Sequence, residues 1–170
     1  LIRQNIGVDG LKTGHTEAGG YGISISAERK KRRLYVVVNG LESKRERIVE
    51  AERLLEFGYR NFETVSLLKS GQRLGQAEVW FGKTNIVSLV VQDEVQKVLP
   101  RNWQRNAVAR IVYDSPIPAP IQKGQEVAAL EITHSKDQVI SIPLVAGEEV
   151  PALTGFSKLF RVSMYYLTGV

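Results

Sequence analysis

The sequence contains no cysteine, which excludes disulfide cross-links, thiolate catalysis and Cys-based metal sites and leaves the compartment open. Histidine is almost as scarce: His15 and His134 fall in different predicted domains and form no metal-ligand spacing. No run of eighteen apolar residues occurs, so no bilayer-spanning helix is predicted. Neither an initiator methionine nor a signal peptide precedes Leu1, and the chain reads as a processed or excised piece of a larger protein. The glycines at 14, 19, 20 and 22 do not form a phosphate loop, because a strand pattern follows them where a helix is required. No metal and no cofactor is implied.

What is present is the composition of a soluble globular protein, 43% hydrophobic and 24% charged. Its 170 residues suffice for one ordinary core or two small ones. The net charge of +5 admits an anionic partner. The basic residues are dispersed, and no nucleic-acid partner is predicted. Their one cluster, Arg29-Lys30-Lys31-Arg32-Arg33, lies between two strand-like runs. It reads as a solvated hairpin tip, with attraction to an anionic membrane surface or to peptidoglycan as the alternative.

The stretch from Val8 to Tyr21 is the most informative. It holds Lys12-Thr13-Gly14 between glycines and is followed by an alternating run, Tyr21 to Ala27, so it reads as a turn, an exposed polar rim and then a strand. Lys-Thr-Gly is one of three motifs in serine enzymes that acylate on penicillin-like and D-alanyl substrates, the others being Ser-x-x-Lys and Ser-x-Asn. The residue types suit that chemistry. Lysine supplies positive charge for a substrate carboxylate and for proton traffic, threonine donates a hydroxyl, and glycine leaves room for substrate at a strand edge.

After this rim, Leu34 to Val38 is a continuous apolar, β-branched run, predicted to be a strand covered on both faces and paired with residues 21–27. Ser43 and Glu46 fit a capping box. Ile48, Ala51, Leu55 and Tyr59 then recur at helical spacing, predicting an amphipathic helix over 44–57 that Gly58 ends. From Glu63 the texture changes to six short strand signals separated by turns, which predicts a small β-sandwich or barrel. Pro116 to Pro120 reads as a stiff connector. Near the end, Phe156, Leu159, Phe160, Met164 and Leu167 share one helical face, opposite Lys158, Arg161 and Tyr165. That pattern suits a helix lying in a membrane interface or a terminal helix packed on the sandwich.

Val-Asp-Gly-Leu-Lys-Thr-Gly-His-Thr-x-x-Ala-Gly closely resembles the third motif of the low-molecular-mass penicillin-binding proteins that act as D-alanyl-D-alanine carboxypeptidases. Segments 54–62, 78–82, 119–125 and 143–145 follow the family's order and spacing. The resemblance implies an α+β chain: residues 1–62 as the C-terminal part of a β-lactamase-like catalytic domain, 63–152 as the β-sandwich and 153–170 as an amphipathic anchor. It implies carboxylate binding and proton transfer by Lys12 and Thr13, clearance at Gly14 and an oxyanion-hole N–H at His15. An arginine at the helix start would border the site: Arg47, with Arg45 kept open. Peptidoglycan pentapeptide and β-lactam antibiotics would be its ligands, the N-terminal part of the same protein its partner, and the outer face of the inner membrane in a bacterial periplasm its location.

Two motifs are missing. No Ser-x-Asn occurs, and the only Ser-x-x-Lys among the strand signals, Ser66 to Lys69, follows the Lys-Thr-Gly triplet where it should precede it on a helix. The sequence therefore holds no nucleophile for this chemistry. A non-catalytic, membrane-associated β-domain that spaces or recruits a partner is the competing reading.

Overall fold

The computed structural model describes residues 6–135 and 138–155. Its elements, in order, are β1 (Val8–Thr16), β2 (Gly20–Arg29), β3 (Arg32–Leu41), α1 (Lys44–Asn61), β4 (Phe62–Leu68), β5 (Arg73–Trp80), β6 (Ile86–Val91), β7 (Val95–Pro100), β8 (Val108–Val112), β9 (Ile117–Pro118), β10 (Glu126–Ser135) and β11 (Gln138–Ala146). Among the described residues the fold is mostly β with one α-helix. It divides into two compact units, one of Leu1–Thr64 with Val98–Arg101, the other of Val65–Lys97 with Asn102–Val170.

The first unit is an antiparallel meander, β1-β2-β3, with α1 laid on one face. Register explains the face. Ile23, Ile25 and Ala27 lie opposite Val38, Val36 and Leu34, so period-two alternation puts all six on the side that α1 covers. Ala51 and Leu55 complete that core from the helix and are fully buried.

Four sequence expectations change here. Lys-Thr-Gly is not a rim ahead of a strand but the middle of β1 itself, paired with β2. β3 is covered on one face only: Tyr35 and Val37 are 67% and 69% exposed, because among the described residues nothing packs on the side away from α1. The helix does not stop at Gly58 but runs to Asn61. Gly58 serves close approach, since a Cβ there would lie 2.9 Å from Leu34 Cδ1, and it lets Tyr59 donate its hydroxyl to the Ala27 carbonyl at 2.8 Å. The capping box is present at the other end. Glu46 N–H donates to Ser43 Oγ at 3.1 Å, and Glu46 Oε2 accepts from Glu42 N–H at 2.8 Å.

The basic cluster is the fourth. Lys30 and Lys31 form the exposed tip and Arg33 is exposed as well, but Arg29 and Arg32 are half-buried. Arg29 donates to Glu56 at 2.6 Å and to the Ile6 carbonyl at 2.7 Å, and Arg32 donates to the carbonyls of Gly58 and Phe62. Both guanidinium groups lie over the Tyr59 ring, at 4.6 and 4.9 Å from its centroid.

The second unit is a sandwich-like β body. Its six-stranded sheet has the order β8-β10-β11-β6-β5-β9, with residues of the β4–β7 ribbon beside it. Alternate positions make its core: Ala77 and Val79, Val87, Leu89 and Val91, Leu130 and Ile132, Ile142 and Leu144. Leu68 closes over them from β4. The proline-rich segment is more than a connector. Ile117 and Pro118 pair in parallel with Val79 and Trp80 as the edge strand β9, and Ile117 is buried. An edge is where a strand tolerates proline. β7 escaped the sequence reading because Val95-Gln96-Lys97-Val98 shows little alternation, and only Leu99 on it is buried. The residues carrying the terminal-helix expectation, Phe156, Leu159, Phe160, Met164 and Leu167, lie outside the described residues.

Gly82 marks a point of close approach in the second unit. A Cβ there would stand 2.7 Å from the Thr84 carbonyl oxygen and from Val150 Cγ1, and 2.8 Å from Val79 Cγ1. Backbone and branched side chains cannot step aside. Gly82→Ala is expected to destabilise the second unit by about 1–3 kcal/mol, measured by urea unfolding; an unchanged midpoint would refute this packing account.

Candidate functional site

The candidate site lies on β1, the edge strand of the meander. Lys12, Thr13, Gly14 and His15 are all exposed. Lys12 pairs with Ser24 and Gly14 with Gly22 on the face away from α1, whereas Thr13 pairs with Ile23 and His15 with Tyr21 on the α1 side. An open groove of about 500 Å3 runs beside them, bounded by Leu11, Lys12, Thr13, Ser24, Arg47 and Ile48. Leu11 and Ile48 leave apolar surface exposed along it.

Few apolar contacts hold this strand, because only Val8 on it is buried. Two arginines hold it instead. Near one end Arg47, from the first turns of α1, donates through Nη1 to the Gly14 carbonyl on β1 at 3.1 Å and to the Gly22 carbonyl on β2 at 3.4 Å. Its guanidinium lies 5.7 Å from the Tyr21 ring centroid. Its Nε is shielded from solvent without a hydrogen-bond partner among the described residues. Tyr21 in turn stacks on His15, centroids 3.8 Å apart at 13°. His15 Nδ1–H donates to the Gly20 carbonyl at 3.1 Å; a carbonyl only accepts, so this bond places the proton of a neutral ring on Nδ1. At the other end Arg33 on β3 reaches Asp9 on β1 at 2.7 Å, Glu28 on β2 at 2.6 Å, and Ser26.

The structure thus brings Lys12, Thr13, Gly14, His15 and Arg47 together and separates Arg45 from them. Residues two apart on a helix point about 200° apart, so Arg45 is exposed while Arg47 faces β1. Ser66, of the formal Ser-x-x-Lys tetrad, sits on β4 and donates to Glu94 at 2.9 Å. Among the described residues no three His, Cys, Asp or Glu side chains gather as a metal site, and no helix is long and apolar enough to cross a membrane. Sequence reading missed the Asp9–Arg33 clamp and Tyr21. Tyr21 lies near the start of a recognisable strand, six positions after His15 across a three-residue turn, but nothing in the order of residues pairs Asp9 with Arg33.

The clamp has a pH signature. The Arg33 hydrogen bond, then that of Ser26, holds the Asp9 carboxyl below its ordinary value of 3.8. Glu56, bonded by Arg29, lies below its ordinary 4.5. A depressed carboxylate contributes stability that is fully present above its unfolded-state pKa and is lost as pH falls through the folded one. The first unit is therefore expected to keep its stability from neutrality to about pH 5 and to lose it progressively below about pH 4. Asp9→Asn should have a lower Tm than the parent at pH 7 and the same Tm at about pH 2; a gap that persists at pH 2 would show that the clamp is not the cause.

Comparison with known proteins gives this geometry its context. The profile described as penicillin-binding protein 5, C-terminal domain, matches residues 62–152. The chain is 36% identical over 160 residues to D-alanyl-D-alanine carboxypeptidase DacD of Escherichia coli strain K12, covering 94% of this chain and 41% of that protein. Among solved structures, penicillin binding protein 5 from Haemophilus influenzae superposes with a TM-score of 0.69 at 32% identity, over 88% of this chain and 44% of that one. D-alanyl-D-alanine carboxypeptidase DacD from Francisella tularensis gives 0.71 at 29% identity, over 89% and 38%. The chain spans about two-fifths of the length of the curated relatives it matches. With more than half of its residues, 62–152, matched by that profile, the chain belongs to the family of the penicillin-binding protein 5 C-terminal domain.

Proposed function

We propose that this chain is the C-terminal portion of a D-alanyl-D-alanine carboxypeptidase, which removes the terminal D-alanine of peptidoglycan stem pentapeptides through a serine acyl-enzyme. The observation that carries the reading is Lys12-Thr13-Gly14 at the centre of an exposed edge strand. Unpaired backbone groups on such an edge can receive an extended peptide as an added strand. Gly14 fits that use: its φ is not positive, and a Cβ would meet nothing within 4 Å, so neither the fold nor its packing requires glycine there. The missing side chain keeps the edge clear for a ligand.

On this reading Lys12 and Thr13 bind the substrate's terminal carboxylate, with Lys12 also carrying protons, and the His15 backbone N–H joins the oxyanion hole. Arg47 keeps the strand in place by holding Gly14 and borders the carboxylate's position. The serine nucleophile comes from the N-terminal part of the same protein, outside this chain, and β-lactams acylate it as substrate mimics. In the protein carrying both parts, Lys12→Ala should slow acylation by a labelled penicillin by roughly 100-fold or more. Acylation at the parent rate would end the role assigned to Lys12.

The same proposal gives the β domain the task of a spacer and the segment 153–170 that of an interfacial anchor, on the outer face of the inner membrane in the periplasm. Its support is the apolar face of Phe156, Leu159, Phe160, Met164 and Leu167 in the sequence. Removing residues 155–170 should clearly weaken co-sedimentation with anionic liposomes, and binding equal to that of the parent would remove the anchor from the proposal.

A further inference from the structure

The β2–β3 hairpin places Lys30 and Lys31 at the two central positions of its turn, with φ of 50° and 64° and Arg29 paired to Arg32 across it. A two-residue turn with both φ positive is of type I′, which Asn-Gly satisfies with least strain. Two lysines are a poor choice for folding on two counts. Each carries the left-handed backbone strain of a residue with a Cβ, and both add charge beside three arginines of the same sign. Strain of this kind persists where the surroundings impose it and tends to collect at functional sites.

A groove of about 510 Å3 in the first unit adjoins this turn, bounded by the turn residues with Tyr59, Glu63, Thr64 and Arg101. Charge on its walls is unbalanced. Arg29 is answered by Glu56 at 2.6 Å and Arg101 by Glu63 at 3.4 Å. Arg32 donates only to the neutral carbonyls of Gly58 and Phe62, and Lys30 and Lys31 are exposed. Three positive charges therefore converge on one groove without a carboxylate in its lining to match them. It also stands apart from the Lys-Thr-Gly edge: Ser24, opposite Lys12, precedes the turn residue Lys30 by six positions along the strand, about 20 Å at the rise of a strand.

We infer that this groove binds a phosphate-bearing anion, with Lys30 and Lys31 as its ligands at the mouth and Arg32 on its wall. A phosphate group carries one or two negative charges on several oxygens and accepts from cationic donors that approach from different directions. A single carboxylate would leave most of the site's charge unmatched. The phosphate comes either from a lipid headgroup or from a soluble phosphate compound.

The inference separates folding from binding. Replacing the tip by the turn's preferred pair, Lys30→Asn with Lys31→Gly, relieves the strain and should raise the Tm of the intact chain by roughly 2–4 °C. The same variant should lose binding. Two probes report it: inorganic phosphate followed by NMR shifts of Lys30, Lys31, Tyr59 and Arg101, and co-sedimentation with phosphatidylglycerol against phosphatidylcholine vesicles. A tenfold or greater weakening with inorganic phosphate identifies a soluble ligand, and one confined to phosphatidylglycerol vesicles identifies a lipid headgroup. A control that removes the same charge elsewhere, Lys69→Gln with Lys123→Gln, should bind as the parent does. The inference is overturned if the hairpin variant binds both probes as well as the parent, if the parent responds to neither, or if the control weakens binding equally.

Discussion

The bond from Arg47 to the carbonyls of Gly14 and Gly22 is the constraint on which the candidate site depends. β1 is nine residues long and buries one side chain, Val8, so hydrophobic burial cannot fix its position. A bare ladder to β2 leaves its outer edge exposed and its end free to fray. A guanidinium that bonds both strands at once through one nitrogen supplies what burial does not. Because Arg47 springs from a helix whose Ala51 and Leu55 are locked in the core, the motif inherits the rigidity of the hydrophobic layer beneath it. Arg33 does the same near the other end through Asp9, Glu28 and Ser26.

Arginine recurs in this role throughout the first unit. Arg29 and Arg32 enclose Tyr59 and bond the chain at Ile6, Gly58 and Phe62. Arg101 donates to the carbonyls of Arg60 and Tyr59. The unit thus compensates for a small core with charged groups that satisfy carbonyls at chain ends and turns. Exposed ion pairs are weak individually, but these guanidinium groups each serve several acceptors and determine where segments lie. The second unit relies on the opposite solution. Its sheet buries alternate aliphatic residues of four neighbouring strands in one cluster, which makes a body stiff enough for the spacer role proposed for it.

The exposed face of β3, with Tyr35 and Val37, and the groove beside Leu11 and Ile48 leave apolar surface uncovered among the described residues. The lysine tip is a different case: it opposes folding locally while the arginines on either side promote it.

The sequence by itself determined the elements whose pattern is local. The capping box, the alternation in β2 and the strand signals of β6, β10 and β11 all depend on residues a few positions apart, and each appears in the fold where its spacing placed it. Distances along the chain say little about pairings across it. That β1 is a strand, that Gly58 lies inside a helix, that Arg47 and not Arg45 grips the motif, and that Arg33 reaches Asp9 were decided by tertiary structure. In each case a partner in another element changes the outcome, more than twenty positions away for Gly58, Arg47 and Arg33: β2 provides the ladder that makes an edge strand of a glycine-rich rim, and β3 presses close enough to require a residue without a side chain. Polar clamps leave no periodicity to read, because one arginine at one position is enough.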